Sequence, residues 1–259
     1  MNVNIRPIKF NNLVTSFTNR NTIKYNNFLS CDTFQKSAVS FGSNEFDFKD
    51  ATPVASGTIW DRKLNKHVDV VVLKTNKNRT ETTYHFVSKN RKKEYGYVDL
   101  TLCKNIKDFE YVYFGSDECL LKDYPEYGIK GQRVIVDYLQ NNNDSRYSGI
   151  GKLADKITVK HCLDNGIKPV IISIADWDSH VAHYKRGKRY LPLEPGTKTY
   201  NFFMKKYGST DVNQVLEKLV EEAELNEEKV DISCWNPIPM YMPKELAQKY
   251  VKELKSKEK

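Results

Sequence analysis

Hydrophobic and polar positions follow a strand-like pattern between about residues 66 and 139 and a helical period after about residue 149. Between residues 66 and 139, β-branched and aromatic runs are separated by charged turns, a pattern typical of an antiparallel meander. The predicted strands are Val68–Leu73, Thr82–Val87, Tyr95–Leu102 and Gln132–Leu139. Before the last of them, Tyr111–Phe114 is either an extra strand or a segment that flanks a helix.

The helical period begins with Gly149–Asn165, where the residues of one face recur at helical spacing. That face consists of Ile150, Leu153, Ala154, Ile157 and His161. Gly166 then supplies a C-terminal stop, and Pro169–Ala175 is typical of a buried strand. Strand, helix and strand follow one another closely enough to form a βαβ unit. We therefore expect Gln132–Leu139 and Pro169–Ala175 to lie parallel in one sheet.

The rest of the chain is mostly helical with one extended interruption. A short helix, capped by Asp176 or Asp178, is expected to reach about Lys185. Further helices are predicted at Val212–Leu225 and from Lys244 to about Lys255, on either side of the proline-containing segment Asp231–Met242. We see no internal repeat and no linker after residue 50, so residues 51–259 are expected to form one domain.

Residues 1–50 are rich in asparagine, show no sustained period and contain no acidic residue before Asp32. This composition favours a poorly ordered leader. A transit peptide has the same sign of charge, but it usually carries more arginine and a clearer amphipathic helix. The segment has no apolar core of the kind found in secretory signals.

Composition narrows the class of protein. Among 259 residues, 39% are hydrophobic and 29% charged, as in ordinary globular domains, and no apolar run is long enough to span a membrane. The five cysteines include no C-x-x-C pair, which argues against a disulfide framework or zinc ribbon and favours the cytoplasm. A net charge of +8 fits nucleic acid, an anionic membrane surface, an anionic small ligand or a lysine-rich solvated surface.

A glycine-containing turn between the fourth strand and the long helix is the strongest chemical signal. Its residues are Arg146, Tyr147, Ser148, Gly149, Ile150, Gly151 and Lys152. The first N–H groups of a helix lack partners within the helix, and the helix dipole places positive charge there. Because glycine lets the main chain approach a ligand closely, such a turn can bind phosphate. Arg146 and Lys152 can add side-chain charge.

Two other phosphate motifs do not match. A P-loop needs Ser or Thr after its lysine, but Leu153 follows Lys152. A dinucleotide fingerprint would use Gly149, Gly151 and Ala154, but the preceding strands are expected to be antiparallel and no repeated βαβ halves follow. A tightly packed helix terminus without a ligand remains an alternative.

The order of these elements, together with the turn, resembles the GNAT superfamily of acyltransferases. That family's acyl-CoA signature is Q/R-x-x-G-x-G/A, and Arg146–Gly151 is similar to a full instance. The resemblance covers about residues 65–195. It implies an α/β (α+β) fold with a mixed, mostly antiparallel sheet, a central parallel strand–helix–strand unit and flanking helices. Val212–Leu225 is then a helical insertion, and the segment around Ile238–Met242 is the last strand.

The resemblance also implies a binding mode for acetyl-CoA. The fourth and fifth strands would splay apart, and the pantetheine arm would lie along Tyr138, Leu139 and Asn141. The amides of Tyr147–Gly151 would hold the pyrophosphate. Tyr184, on the helix after the fifth strand, would protonate the departing thiolate. The family usually places a short spacer, glycine and phenylalanine after this tyrosine, whereas Lys185–Tyr190 departs from that pattern.

The expected function is therefore transfer of an acetyl or other acyl group from acetyl-CoA to a primary amine by direct attack. A strand N–H near Leu139 can bond the carbonyl oxygen, and Asp137 is the candidate base, with Glu126 second. The amine acceptor is not identified. The alternatives are a non-catalytic acyl-CoA-binding module of the same fold and a basic nucleic-acid-associated protein.

We predict no metal site and no membrane partner. His180 and His183 form an H-x-x-H pair, but further ligands at fixed spacing are missing. The basic residues Lys185, Arg186, Lys188 and Arg189 can contact nucleic acid, the 3′-phosphate of coenzyme A or only water.

Overall fold

The computed structural model describes residues 48, 51–103, 122–143, 145–175, 179–235 and 237–256. Three expectations lie outside these ranges: the poorly ordered leader apart from Phe48, the Tyr111–Phe114 strand and the capping role of Asp176 or Asp178. No helix within the described ranges combines the length and hydrophobicity needed to cross a membrane.

Nine strands and five α-helices make up the described residues, together with one turn of 3₁₀ helix at Pro125–Tyr127. In chain order the elements are β1 (Thr52–Asp61), β2 (Lys66–Asn76), β3 (Glu81–Val87), β4 (Glu94–Cys103), β5 (Arg133–Asn141), β6 (Tyr147–Ser148), α1 (Ile150–Asp164), β7 (Ile171–Ala175), α2 (Ser179–Lys185), β8 (Arg189–Tyr190), α3 (Lys198–Tyr207), α4 (Val212–Leu225), β9 (Ile238–Tyr241) and α5 (Lys244–Lys255).

All nine strands belong to one sheet in the order β6-β1-β2-β3-β4-β5-β7-β9-β8. The pair β5–β7 is parallel and the other neighbours are antiparallel. The crossover α1 joins the two parallel strands, because parallel neighbours need a connection that returns the chain to the same end of the sheet. The predicted mixed, mostly antiparallel sheet with a central parallel unit is confirmed.

Four elements were not predicted from the sequence. β1 consists largely of small and polar residues with exposed or half-buried side chains, so it lacks the apolar alternation that marked its neighbours. β6 and β8 are two residues long, too short for any period to be recognised. The fourth, α3, begins after Thr197, whose side chain accepts a hydrogen bond from the Tyr200 N–H as an N-cap.

Helices cover one face of the sheet to form the main core, which we call the α1 core. Ile150, Leu153 and Ile157 of α1 pack there with Val134 and Val136 of β5, and residues of α5 complete the cluster. The predicted apolar face of α1 is therefore buried as expected, and burying each such side chain contributes about 1.5–3 kcal/mol.

A second cluster, the C-terminal core, joins α3 and α4 to the end of the sheet. It is built on aromatic and aliphatic side chains that include Phe203, Leu216 and Trp235. The side chain of Asp211 caps α4 by accepting the Gln214 N–H. The opposite face of the sheet carries smaller clusters, one of which contains Ile135 of β5 and Ile172 of β7.

We expect Gly96→Ala to destabilise the fold by about 1–3 kcal/mol or more, because it overpacks a backbone contact. A Cβ at this position of β4 would lie 2.1 Å from the carbonyl oxygen of Gln140 on β5. Gly57→Ala is the matched control, because the atom nearest to a Cβ at that position is at the flexible end of the Leu153 side chain, 2.9 Å away. Urea unfolding of both variants measures the difference, and equal losses would contradict the prediction.

Candidate functional site

β5 and β7 form a fork, because they are paired over only three residues each. The pairs are Val134 with Ile171, Ile135 with Ile172 and Val136 with Ser173. On its other edge, β7 pairs with β9 from Ile172 to Ala175, while β5 continues to Asn141 along β4. Leu139–Asn141 of β5 pair with no residue of β7 among the described strands. The β7-facing backbone groups of these residues can pair with an extended ligand.

A β-bulge on β5 coincides with the start of the fork. Leu100 of β4 pairs with Val136 and Asp99 pairs with Tyr138, so Asp137 is an extra residue. A bulge bends its strand and increases the local twist, which explains why β5 leaves β7 here. The Asp137 carboxylate accepts a hydrogen bond of 2.6 Å from the Thr101 hydroxyl, so this candidate base is held at the point where the strands separate.

The helix α1 begins with an uncapped N-terminus, shortly after Tyr147, whose carbonyl oxygen accepts a hydrogen bond from the Asn141 side chain at the end of β5. Its N-cap residue, Gly149, has a φ of 100°, no side-chain cap hydrogen bond is made, and the first turn contains no acidic residue. A positive φ of this kind strains any residue with a Cβ. The first-turn N–H groups and the helix dipole therefore present positive potential to an anion.

Arg146 connects the turn to the end of β1 through an ion pair. Its Nε and Nη2 donate to the carboxylate of Asp61 over 2.7–3.1 Å. The hydrogen-bonded Arg146 guanidinium lowers the pKa of the buried Asp61 carboxyl to about 2. The sequence suggested Arg146 as extra charge around a phosphate, but in the structure much of its charge is compensated by Asp61.

Backbone pairing makes the turn part of the sheet. Ser148 pairs with Trp60 and Tyr147 with Asp61 of β1, and the Asn141 side-chain amide donates to the Tyr147 carbonyl oxygen over 3.0 Å. The buried Tyr147 ring also lies under the Lys93 ammonium, 4.5 Å from the ring centroid. The position of the first-turn amides is therefore set by contacts on both sides of the turn.

The other residues predicted for acyl-CoA lie as follows. Tyr138 is 37% exposed, stacks on the Tyr97 ring and donates its hydroxyl to Gln140. Leu139 packs partly buried against the α1 core, and Lys152 is exposed in the first turn of α1. Of the predicted pantetheine residues, Asn141 contacts the turn, through its hydrogen bond to the Tyr147 carbonyl oxygen.

Tyr184 lies in a different environment from the turn. Its half-buried ring packs against the C-terminal core and faces the Arg189 guanidinium at 4.6 Å. Burial raises the pKa of the Tyr184 hydroxyl, and the nearby Glu217 carboxylate raises it further. No contact described for Tyr184 includes a residue of the turn, so its role as an acid stays a prediction. Glu126, the second candidate base, is exposed in the 3₁₀ turn.

The H-x-x-H pair takes part in separate contacts. The Nδ1 atom of His180 is 2.8 Å from the Tyr190 hydroxyl oxygen, while the Nδ1 atom of His183 is 2.7 Å from Arg186 Nη2. Within the described residues there is no group of three or more His, Cys, Asp or Glu side chains arranged to hold a metal ion.

A buried ion cluster beside the turn was not predicted from the sequence. Asp155 of α1 accepts hydrogen bonds from Arg186 Nε at 2.9 Å and binds the Lys188 ammonium at 3.1 Å. Lys188 Nζ also lies 3.4 Å from the hydroxyl of Ser173, at the fork. In the sequence, the one indication of this cluster was Asp155, a carboxylate that follows Ala154 on the predicted apolar face of α1.

Comparisons with known proteins include one distant structural likeness. A scan against protein-family models finds no match, and neither does a search of curated proteins. Among solved structures, the chain is similar to a putative arylalkylamine N-acetyltransferase 7 from the yellow fever mosquito. The identity is 10% and the TM-score 0.44, and the match covers 74% of this chain and 95% of that chain. Such a distant likeness carries no inference about what this chain does.

We expect the contribution of the Asp61–Arg146 pair to stability to be lost in acid. The folded-state pKa of Asp61 is lowered from 3.8 to about 2, so the pair stabilises the protein above the unfolded pKa. The contribution disappears as pH falls through the folded pKa. Asp61→Asn should therefore lower the free energy of unfolding at about pH 6, and by a smaller amount at about pH 3.

Urea unfolding of wild type and Asp61→Asn at both pH values measures this change. Asp164→Asn is a suitable control, because it removes an exposed ion pair with Lys160 that is worth roughly 0.3–0.5 kcal/mol. A loss for Asp61→Asn that is equal at both pH values would show that the pair does not act through the Asp61 charge.

Proposed function

We propose that the protein is an N-acyltransferase that transfers an acetyl or related acyl group from acetyl-CoA to a primary amine. The observation that carries the proposal is the fork between β5 and β7 beside an uncapped, glycine-initiated helix. The β7-facing backbone groups of Leu139–Asn141, which have no strand partner among the described strands, can pair with the amides of an extended pantetheine arm. The Tyr147 N–H already donates to the Asn143 carbonyl oxygen over 2.8 Å, so the amides of Ser148–Gly151 are the ones that can hold the diphosphate, with Lys152 adding charge.

The fork supports direct attack by the amine on the thioester. The amine nitrogen forms a C–N bond with the carbonyl carbon and the C–S bond breaks, while a β5 N–H near Leu139 bonds the carbonyl oxygen. Asp137, directly or through water, takes the proton that the amine loses. The thiolate needs a proton, which we assign to Tyr184. This assignment is supported by the family resemblance, whereas Asp137 is also supported by its place at the bulge.

Acetyl-CoA binding and turnover test the proposal at two levels. A ligand at 100 times its dissociation constant stabilises a protein by about 2.7 kcal/mol, so acetyl-CoA should raise the melting temperature of the wild type. Free thiol release from acetyl-CoA, measured with a panel of alkyl, aryl and peptide amines, reports turnover. Binding without thiol release favours the non-catalytic module, and stabilisation by nucleic acid but not by acetyl-CoA favours the nucleic-acid alternative.

Gly149→Glu should abolish the acetyl-CoA shift, because it places a side chain and a negative charge at the N-terminus of α1. Gly166→Glu is the matched control at the other end of the helix. It also changes a positive-φ glycine, with φ of 68° against 100°, and a Cβ there has nothing within 4 Å. Gly166→Glu should bind acetyl-CoA as the wild type does. Undiminished binding by Gly149→Glu would place the ligand elsewhere.

Asp137→Asn should lower kcat by about 10²–10⁴-fold, the usual contribution of a general base, and leave the dissociation constant of acetyl-CoA unchanged. Steady-state kinetics of thiol release and calorimetry measure the two quantities. Tyr184→Phe, measured in the same assay, tests the proposed acid. If Asp137→Asn retains wild-type kcat, another group removes the proton.

A further inference from the structure

Arg186 reaches from the end of α2 to the N-terminal end of α1. Its Nε donates to Asp155 and its Nη2 to the Nδ1 atom of His183. Within the described part of the chain, Nη1 has no hydrogen-bond partner, and the side chain is 20% exposed. Two strong N–H donors of a largely buried guanidinium are therefore left to water or to a ligand.

Gly151, in the glycine turn, shows where Nη1 lies. A Cβ at Gly151 would come within 2.7 Å of Nη1 and 2.8 Å of Cζ, so the guanidinium occupies the space that a larger residue would fill. The backbone of Gly151 belongs to the first turn of α1, whose N–H groups lack a side-chain cap. Nη1 and these N–H groups therefore lie at the same end of the helix.

The charge around Arg186 favours an anion. Asp155, 3% exposed, is one carboxylate facing two cationic side chains, Arg186 and the buried Lys188. Burial lowers the pKa of Lys188, Asp155 raises it and the Arg186 charge lowers it, so positive charge in this cluster is costly unless another group compensates it. An anionic ligand at Nη1 would supply that compensation, since a guanidinium binds phosphate oxygens through its planar set of N–H donors.

His183 helps to fix the orientation of the Arg186 guanidinium. Burial, reinforced by the charges of Lys188 and Arg186, lowers the pKa of His183 well below its usual value. The neutral ring can therefore accept the Nη2–H bond on Nδ1. Asp155 binds Nε and His183 binds Nη2, so the two residues fix the orientation of the guanidinium while neither bonds Nη1.

We propose that Arg186 is a ligand-binding residue whose Nη1 donates to the diphosphate of acetyl-CoA held at the N-terminus of α1. Asp155 and His183 act as positioning residues for its guanidinium. This inference rests on the proposed function, and it adds a side-chain donor to the backbone amides of the turn. It also distinguishes Arg186 from its basic neighbours, since Lys185 is paired with Glu224 and Arg189 with the Tyr184 ring.

Calorimetric titration with three related ligands tests the assignment. Acetyl-CoA contains both the diphosphate and the 3′-phosphate, acetyl-dephospho-CoA lacks the 3′-phosphate, and acetyl-pantetheine lacks both. Arg186→Gln should weaken binding of the first two by about tenfold or more, as expected for a hydrogen bond to a charged group. Binding of acetyl-pantetheine, titrated to millimolar concentration, should stay within about twofold of wild type.

Arg186→Lys and Lys185→Gln provide the controls. Arg186→Lys keeps the positive charge beside Asp155 but loses the free Nη1 donors, so it should still fold and still lose affinity for both diphosphate ligands. Lys185→Gln removes a neighbouring exposed charge and should bind all three ligands as the wild type does. Thermal unfolding of each variant without ligand confirms that it is folded.

Several outcomes would overturn the assignment. Equal affinity of wild type and Arg186→Gln for acetyl-CoA removes Arg186 from the site, and a loss confined to acetyl-CoA moves it to the 3′-phosphate. An equal loss for acetyl-pantetheine makes its role structural. These results leave the proposed function standing if the wild type binds acetyl-CoA, whereas a wild type that binds none of the three overturns both.

Discussion

The bulge at Asp137 is the constraint on which the geometry of the site depends. One extra residue on β5, opposite the Asp99–Leu100 step of β4, bends the strand just after its last pair with β7. Pairing with β4 continues along the other edge, so the strand stays in the sheet while its pairing with β7 ends at Val136. Two neighbouring strands of one sheet can separate here because a single extra residue changes the direction of the chain.

Two arginines near the turn have different roles. Arg146 is bound to Asp61 through both Nε and Nη2, and this pair ties the turn to β1. Arg186 is held through Nε by Asp155 and through Nη2 by His183, and its Nη1 lies beside Gly151. The arginine within the glycine motif therefore has a structural contact to β1 in addition to its predicted role at the phosphate, and a second arginine, just after α2, reaches the same turn.

The sequence predicted those elements whose structure depends on residues close to one another in the chain. The period of α1, the β-branched run of β7 and the glycine turn were sufficient to predict a parallel unit with a helix terminus between its strands. Contacts between residues far apart in the chain could not be predicted from the sequence. Asp61 and Arg146 are 85 positions apart, and Asp155 and Arg186 are 31 positions apart. Nothing in the residues of β5 marks the bulge, because it follows from the register with β4.

The pairing of β6 with β1 couples the turn to a hairpin that is remote in sequence. Trp60 and Asp61 stand at the end of β1, where it turns into β2. Proteins open locally in cooperative units, and an opening that frees this hairpin also frees the turn. A ligand that binds the first-turn amides should therefore also slow amide exchange at the β1–β2 hairpin.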